Sequence, residues 1–233
     1  MPPPQRPVDT AEAALIQGIL SGQYPPQSKL PGERRLVEEI GVTRPTLREA
    51  LRRLEQDSWV TVQHGKATVV NDVWREGGLN IISTLTRYPE YLPPNFVTKL
   101  LQVRTDIAPS YTVLAAQNNP KIILDYLKQA ADLPNDPAEL AKYDWELHRL
   151  LCVASDNPVY TLIMNGFSGF YEQMARHYFA RPDTWQTSRP FYQELNNLIE
   201  AGEFEMIREF VRRSMWESAE IWTQVEPLPN QKI

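Results

Sequence analysis

Gly41-Val42-Thr43-Arg44-Pro45-Thr46-Leu47-Arg48-Glu49-Ala50-Leu51-Arg52-Arg53-Leu54-Glu55-Gln56-Asp57 reads as one short amphipathic helix. Leu47, Ala50, Leu51 and Leu54 recur at i, i+3, i+4 and i+7, a single apolar stripe. Thr43 stands where an N-cap belongs, and Pro45 falls in the first turn, where its missing N–H does no harm. The opposite face carries Arg44, Arg48 and Arg52, one turn apart. The first turn therefore gathers hydroxyls, guanidinium forks and free backbone N–H groups, which suit phosphates and guanine edges in a major groove. A solvated charged face has the same composition, so the flanks have to decide.

Upstream, residues 9–20 read as a helix with Ala14, Leu15, Ile19 and Leu20 on its apolar side. Ser21-Gly22-Gln23-Tyr24-Pro25-Pro26 ends it. A second helix is expected over 30–40, with Gly41 at its C′ position. Two short helices joined by a tight Gly-containing turn, the second basic, form a helix-turn-helix pattern. Downstream, Trp59-Val60-Thr61-Val62-Gln63 and Ala67-Thr68-Val69-Val70 are β-branched and alternate, so they read as a hairpin. Three helices and a hairpin make a winged helix. Its tip presents His64, Gly65 and Lys66: Gly65 lets backbone approach a groove, and Lys66 is a point charge for phosphate.

The chain has 233 residues, 42% of them hydrophobic, enough to bury one or two cores. Its one cysteine, Cys152, excludes an internal disulfide framework and a Cys-rich metal site, and lies in an apolar run as a small core residue. Met1-Pro2-Pro3-Pro4-Gln5-Arg6-Pro7 lacks the apolar region of a signal peptide. With no run of about 18 apolar residues to enter a membrane, a cytoplasmic protein is the expectation. The net charge of −5 argues weakly against a nucleic-acid partner. Residues 1–72, however, hold nine basic and nine acidic residues, against 15 and 20 in 73–233. The first third is neutral with its arginines clustered, and a local basic face matters more for DNA than the total.

The expected fold is mainly α: a winged helix-turn-helix domain over 1–72, a linker over 73–78 marked by Gly77-Gly78, and an all-α domain over 79–228. The second domain reads as a seven-helix antiparallel bundle with helices over 79–88, 93–117, 121–133, 137–155, 158–180, 184–201 and 203–225. Residues 226–233 should fray. Phe167, Phe170, Tyr171, Tyr178, Phe191, Tyr192, Trp216 and Trp222 fall at inward spacing. They either pack a core or, near Arg212-Arg213, line an apolar channel with an anionic mouth.

Several strings then carry a resemblance. They are Leu30-Pro31-Gly32-Glu33-Arg34-Arg35-Leu36, the 41–54 helix, Thr61-Val62-Gln63-His64-Gly65-Lys66, Gly78-Leu79-Asn80-Ile81, Arg104-Thr105, the 154–160 segment and Arg176-His177-Tyr178-Phe179-Ala180. Together they resemble GntR-family regulators, specifically the branch that governs fatty acid metabolism, across essentially the whole chain. The resemblance implies operator contacts at Arg34, Thr43, Arg44, Thr46, Arg48, His64 and Gly65. Pro45 stands where that branch has threonine and should cost one hydroxyl contact. The resemblance also implies a homodimer on a pseudo-palindromic operator in double-stranded DNA, no resident cofactor, and a long-chain acyl-CoA effector that lowers DNA affinity. It points to Arg104, Tyr178, Tyr192, Arg213, Ser218 and Trp222 as pocket residues. Met215 stands where the branch has a glycine beside the ligand. It could shorten the channel, alter chain-length preference or abolish acyl-CoA binding.

Asp144 and His148 lie at i and i+4, a spacing that suits a metal. Many GntR relatives with this helical domain bind metal and carboxylate through an Asp-x-x-x-His and two later histidines. Here the later positions hold Tyr192 and Ser214. Two ligands of four make the Asp–His pair a hydrogen-bonded structural pair, with no metal. A GntR-type regulator of a small carboxylate, with or without metal, is the alternative. No catalytic residue is expected: the chain has no Gly-rich phosphate loop, no Gly-x-Ser-x-Gly and no Cys/His constellation. Cys152 shares a helix face with His148 but lacks oxyanion donors.

Overall fold

The computed structural model describes residues 6–63 and 65–224. It divides into two compact units, Met1–Tyr91 and Leu92–Ile233.

In the first unit α1 is Pro7–Leu20, α2 is Glu33–Ile40 and α3 is Arg44–Gln56. The α3 stripe of Leu47, Ala50, Leu51 and Leu54 is buried, and the helix packs on α1, which buries Leu15, Ile16 and Ile19. Gly41 closes α2 in a left-handed conformation, φ +77°, its N–H on the Val37 carbonyl at 3.0 Å. That is the conformation glycine adopts without strain. The second helix begins at Glu33 rather than at residue 30. Pro31 biases Leu30 toward extended backbone, and the Leu30 N–H donates to the Thr68 carbonyl at 2.8 Å.

The hairpin is present, with its regular ladder cut to β1, Val60–Thr61, and β2, Val69–Val70, paired antiparallel Val60↔Val70 and Thr61↔Val69. The expected longer run fails at Val62, whose N–H donates to Glu55 Oε1 at 2.9 Å instead of to a strand. Residues 27–30 take up the other edge of β2: Gln27 N–H meets the Val70 carbonyl at 2.8 Å, and Val70 N–H meets Ser28 at 2.9 Å.

Residues 73–91 group with this unit, whereas composition marked 73–78 as the linker. They form α4, Val73–Glu76, α5, Asn80–Leu85, and a 3-10 turn, Pro89–Tyr91. Side-chain ties explain the grouping: Gln27 to Glu76 at 3.0 Å, Asn80 to Asp57 at 2.9 Å and Arg87 to Glu12 at 4.0 Å.

The second unit holds α6, Phe96–Asn118, α7, Pro120–Leu127, α8, Pro137–Ala154, α9, Pro158–Gly166, α10, Ser168–Phe179, α11, Pro182–Ala201, and α12, Phe204–Gln224. Seven helices are described here, but not the seven expected. The 79–88 helix is α5 of the first unit. The 158–180 helix breaks at Phe167, after the weak helix former Gly166. The 121–133 helix ends at Leu127 and continues as a 3-10 turn, Lys128–Asp132. Asp136 caps α8 through the Ala138 and Glu139 N–H groups at 2.9 and 3.0 Å, and Asn157 caps α9 through Val159 at 3.1 Å. α12 packs along α6, and the core beneath them includes Tyr111, Leu147, Leu151, Tyr192, Leu195, Ile207 and Val211. Trp216 departs from its inward expectation and is 54% exposed. Val211, Ser214 and Met215 take the buried stripe, which leaves position 216 outside it. No described helix is long and apolar enough to cross a membrane.

Candidate nucleic-acid interface and internal cavity

Thr43 caps α3: its hydroxyl accepts from the Thr46 N–H at 3.4 Å and lies 2.8 Å from the Thr46 hydroxyl. This holds two hydroxyls at the positive end of the helix. Thr43, Arg44, Pro45 and Arg48 are exposed, and Thr46 is half-buried. Arg34 is exposed on α2, 3.9 Å from Glu38. Arg48 is held by Glu33: Nε donates to both carboxylate oxygens at 3.0 and 3.1 Å, and Nη2 lies 3.0 Å from Oε2. Gly65, φ +72°, and Lys66 are exposed at the wing tip, where the Lys66 N–H closes a turn on the Gln63 carbonyl at 3.1 Å. His64 lies outside the described residues.

The second unit holds a partly open cavity of about 560 Å³. Its wall is mostly apolar, with Leu100, Ile107, Phe170, Phe179, Phe191 and Phe210 among its residues. Of the expected pocket residues, Arg104, Tyr178, Arg213, Met215, Ser218 and Trp222 line it and Tyr192 does not. Arg213 is exposed, 3.7 Å from Glu217 and stacked over Phe210 at 5.9 Å. The Ser218 hydroxyl donates to the Ser214 carbonyl at 2.9 Å. Met215 is 5% exposed and belongs to both the wall and the core.

Arg104, Tyr111, Asp144 and Tyr171 also line the cavity and belong to a buried polar cluster. Tyr192 sits there, its hydroxyl donating to Asp144 Oδ1 at 2.9 Å, while the Tyr171 hydroxyl donates to Oδ2. Arg104 comes from α6, with Nη2 3.4 Å from Asp144 Oδ2 and 2.6 Å from His148 Nε2. A guanidinium can only donate, so Nε2 is an acceptor and the ring proton sits on Nδ1, 2.8 Å from the Tyr111 hydroxyl. Burial, and then the Arg104 charge, push His148 down to about 3, so the ring is neutral. Burial pushes the Asp144 carboxyl up, but the Arg104 charge and the two tyrosine hydroxyls outweigh it and hold the carboxyl below its usual range. With the imidazole neutral, Arg104 is the counter-charge. Burial opposes that charge in turn, but Tyr171 and Asp144 more than offset it.

Asp144 and His148 are therefore not hydrogen-bonded to each other, contrary to the expected direct pair: Oδ2 and Nε2 are 3.8 Å apart, and Arg104 bridges them. Among the described residues no group of three or more His, Cys, Asp or Glu side chains is placed to hold a metal.

Residues 7–70 match the bacterial regulatory proteins of the gntR family, and residues 71–232 match the FadR C-terminal domain. A fatty acid metabolism regulator protein of Klebsiella pneumoniae subsp. pneumoniae is 41% identical over 95% of this chain and 93% of its own. One from Salmonella newport is 40% identical over the same shares. The chain belongs to the FadR branch of the GntR family. GntR proteins are DNA-binding transcription regulators, and the helix-turn-helix described above is the part that performs this in the family. Among solved structures, one described as Lar, which controls the agr system of Listeria monocytogenes, shares the fold at a TM-score of 0.62. It has 16% identity and covers 95% of this chain and 99% of its own.

Within this GntR chain, Tyr111 escaped sequence reasoning, and Tyr171, read as an inward aromatic and found on the cavity wall, was not expected to hold Asp144. Tyr111 lies seven residues beyond Arg104, two turns along one helix face, and that periodicity was the available signal. Tyr171 sits on α10, and nothing in its local sequence announces a bond to α8. Tyr192, expected on the wall, is absent from it, its hydroxyl bound to Asp144, which does line the cavity.

Proposed function

We propose that the chain is a homodimeric, one-component transcription factor of fatty acid metabolism genes, released from its operator by a long-chain acyl-CoA. The observation that carries this reading is the cavity of about 560 Å³ in the FadR-type unit, with an apolar wall and Arg213, Ser218 and Trp222 along it. Its size and lining suit a largely buried apolar ligand with one polar end. The acyl chain occupies the aromatic wall, and the thioester and phosphates meet Ser218 and Arg213. On DNA, α3 enters the major groove with Arg44 and Arg48, and the wing carries Lys66 to a phosphate. A two-fold dimer reads a pseudo-palindrome. The site of action is the cytoplasm, where bacterial DNA lies.

No catalysis belongs to this reading: burial pushes the Cys152 thiol up to about 12, far from a thiolate nucleophile. No resident metal belongs to it either, since the His148 lone pair is spent on Arg104 and Asp144 is neutralised by the same group. Two buried ligands at metal spacing favour the small-carboxylate reading instead. Elemental analysis that finds one Zn or Ni per chain, lost in Asp144→Ala, would establish it.

The coupling is linkage: a ligand preferring the arrangement that cannot grip DNA weakens DNA binding, and DNA weakens the ligand by the same factor. The test is titration calorimetry with an acyl-CoA series, paired with gel-shift assays on duplexes selected from a randomised library. Micromolar or tighter binding that releases the duplex is expected. A selected duplex with no response to any chain length would overturn the effector.

A further inference from the structure

Arg48 is the most firmly held exposed cation of the recognition surface. A guanidinium carries five N–H groups and offers two edges for a bidentate contact: Nε with Nη2, or Nη1 with Nη2. Glu33, the first residue of α2, engages the Nε side: Nε donates to both carboxylate oxygens at 3.0 and 3.1 Å, and Nη2 lies 3.0 Å from Oε2. Nη1 makes no contact with Glu33. Both side chains are well exposed, at 67% for Arg48 and 40% for Glu33. An exposed pair contributes little to stability, and a carboxylate beside the DNA face opposes the polyanion. Neither stability nor long-range attraction accounts for the arrangement. The neighbouring arginines differ: Arg52 touches Glu49 at 3.0 Å through one nitrogen, and Arg44 has no ion-pair partner among the described residues.

We infer that Glu33 is a positioning residue for sequence reading: it fixes the Arg48 guanidinium so that only its Nη1–Nη2 end can reach a guanine O6 and N7. The consequence is a separation of affinity from specificity. A free Arg48 samples phosphates and several base edges, and the clamp confines it to one bidentate geometry, the kind that discriminates between bases. Ordering the side chain before binding also removes part of the rotamer entropy lost on docking. This inference rests on the reading that α3 enters the major groove.

The test uses the full-length protein with two probes: a duplex selected from a randomised library by the wild-type chain, and poly(dI-dC) as non-specific competitor. Glu33→Gln, Glu33→Ala, Arg48→Ala and the Glu33→Ala/Arg48→Ala double variant are compared at several salt concentrations. Glu33→Ala is expected to weaken the selected duplex on the order of tenfold while binding poly(dI-dC) as tightly or tighter, so the specificity ratio falls. Replacing the guanines of the selected site one at a time should then cost Glu33→Ala less than wild type at one position. Glu33→Gln, which keeps one acceptor, should fall between. In the Arg48→Ala background, Glu33→Ala should lose no further specificity. Thermal melting separates a fold defect, which would lower both affinities alike and overturn the inference. Tightening on both probes would overturn it too, because Glu33 would then merely compete with DNA for Arg48. Wild-type affinity in Arg48→Ala would overturn the groove reading of α3 itself, an outcome distinct from an Arg48-dependent site indifferent to Glu33.

Discussion

On α3, Arg44, Arg48 and Arg52 stand in solvent, the last two beside Glu33 and Glu49; on α6, Arg104 is enclosed with Asp144, His148 and three tyrosines. The same side chain meets opposite demands in the two units. At the surface, water solvates the charge, the pair contributes little, and the guanidinium stays available to a partner. Inside, losing water costs several kcal/mol per ion, and only close opposite charge with hydrogen bonds offsets it. The exposed arginines should be removable without harm to the fold, while on the proposed reading their loss harms recognition. For the buried one the order reverses.

The largest expected effect follows from that reversal. Arg104→Met leaves Asp144 buried without its counter-charge and should destabilise the second unit by about 3–5 kcal/mol. Arg52→Met should leave unfolding unchanged, because its pair with Glu49 is exposed. Urea unfolding followed by near-ultraviolet dichroism checks both. Adding Asp144→Leu to Arg104→Met should recover part of the loss, since no unpaired charge then remains. Equal effects of the two arginine variants would erase the distinction between the units.

The recognition surface supplies the converse. Arg44→Ala should melt like wild type and lose about 1–3 kcal/mol at a selected operator if the side chain is bidentate to guanine. Lys66→Ala should weaken selected and random duplexes alike and reduce the salt slope by about one. Gel shifts across a salt series measure both. Near-wild-type operator affinity in Arg44→Ala and Arg48→Ala together would mean that another element reads the DNA.

The two regions also differed in how much could be read from sequence. The α3 stripe, its Thr43 cap and the Gly41 stop are local, set by spacing within one turn, and they are read directly from the chain. The errors in the first unit arose where a distant partner overrode a local preference: Leu30 joined Thr68, and the Glu55 carboxylate took the Val62 N–H. In the second unit the polar cluster draws on α6, α8, α10 and α11, so its geometry depends on helix packing that no local pattern encodes. Asp144 and His148 were legible as a pair; that Arg104 would lie between them was not. The split at Phe167 was missed for a related reason, since Gly166 alone tolerates a continuous helix as readily as a break.

Acidification should expose the buried cluster selectively. Free histidine titrates near 6.5, while His148 is held down to about 3. Protons therefore bind the unfolded chain first, and the stability that rests on neutral His148 is complete above pH 6.5 and declines as pH falls toward 3. The decline should reach about 2 kcal/mol by pH 5. Asp144, depressed below its usual value, contributes stability present above about pH 4 and lost only as pH falls through its folded pKa. It adds nothing to the higher window. Thermal melts from pH 7.5 to 4.5 should show the slope in wild type and flatten it in His148→Asn. An unchanged slope in that variant would place the titrating group elsewhere.

The smallest effect concerns Met215, and it sharpens what the cavity is for. A methionine where FadR-type relatives were expected to carry glycine could have filled the ligand's space. Yet the cavity keeps about 560 Å³ with Met215 in its wall, and the side chain also packs in the core beside Ile207 and Val211. Methionine is unbranched and adapts to a neighbouring chain at little cost. The wild-type protein should accordingly bind a long-chain acyl-CoA at micromolar concentration or tighter. Met215→Gly should change that affinity by less than about tenfold, because the cavity stays open with Met215 in place. The variant should shift the preferred acyl length upward by the volume it vacates. It should also lose stability, since glycine inside α12 costs about 1 kcal/mol of helix propensity before any cavity is counted. Met215→Ala separates the two, having the space without most of the helix penalty. Calorimetry with acyl-CoAs of increasing length on all three proteins reads the outcome. A wild type that binds none of them while Met215→Gly binds well would show Met215 to be a plug, and the cavity would then serve a smaller ligand.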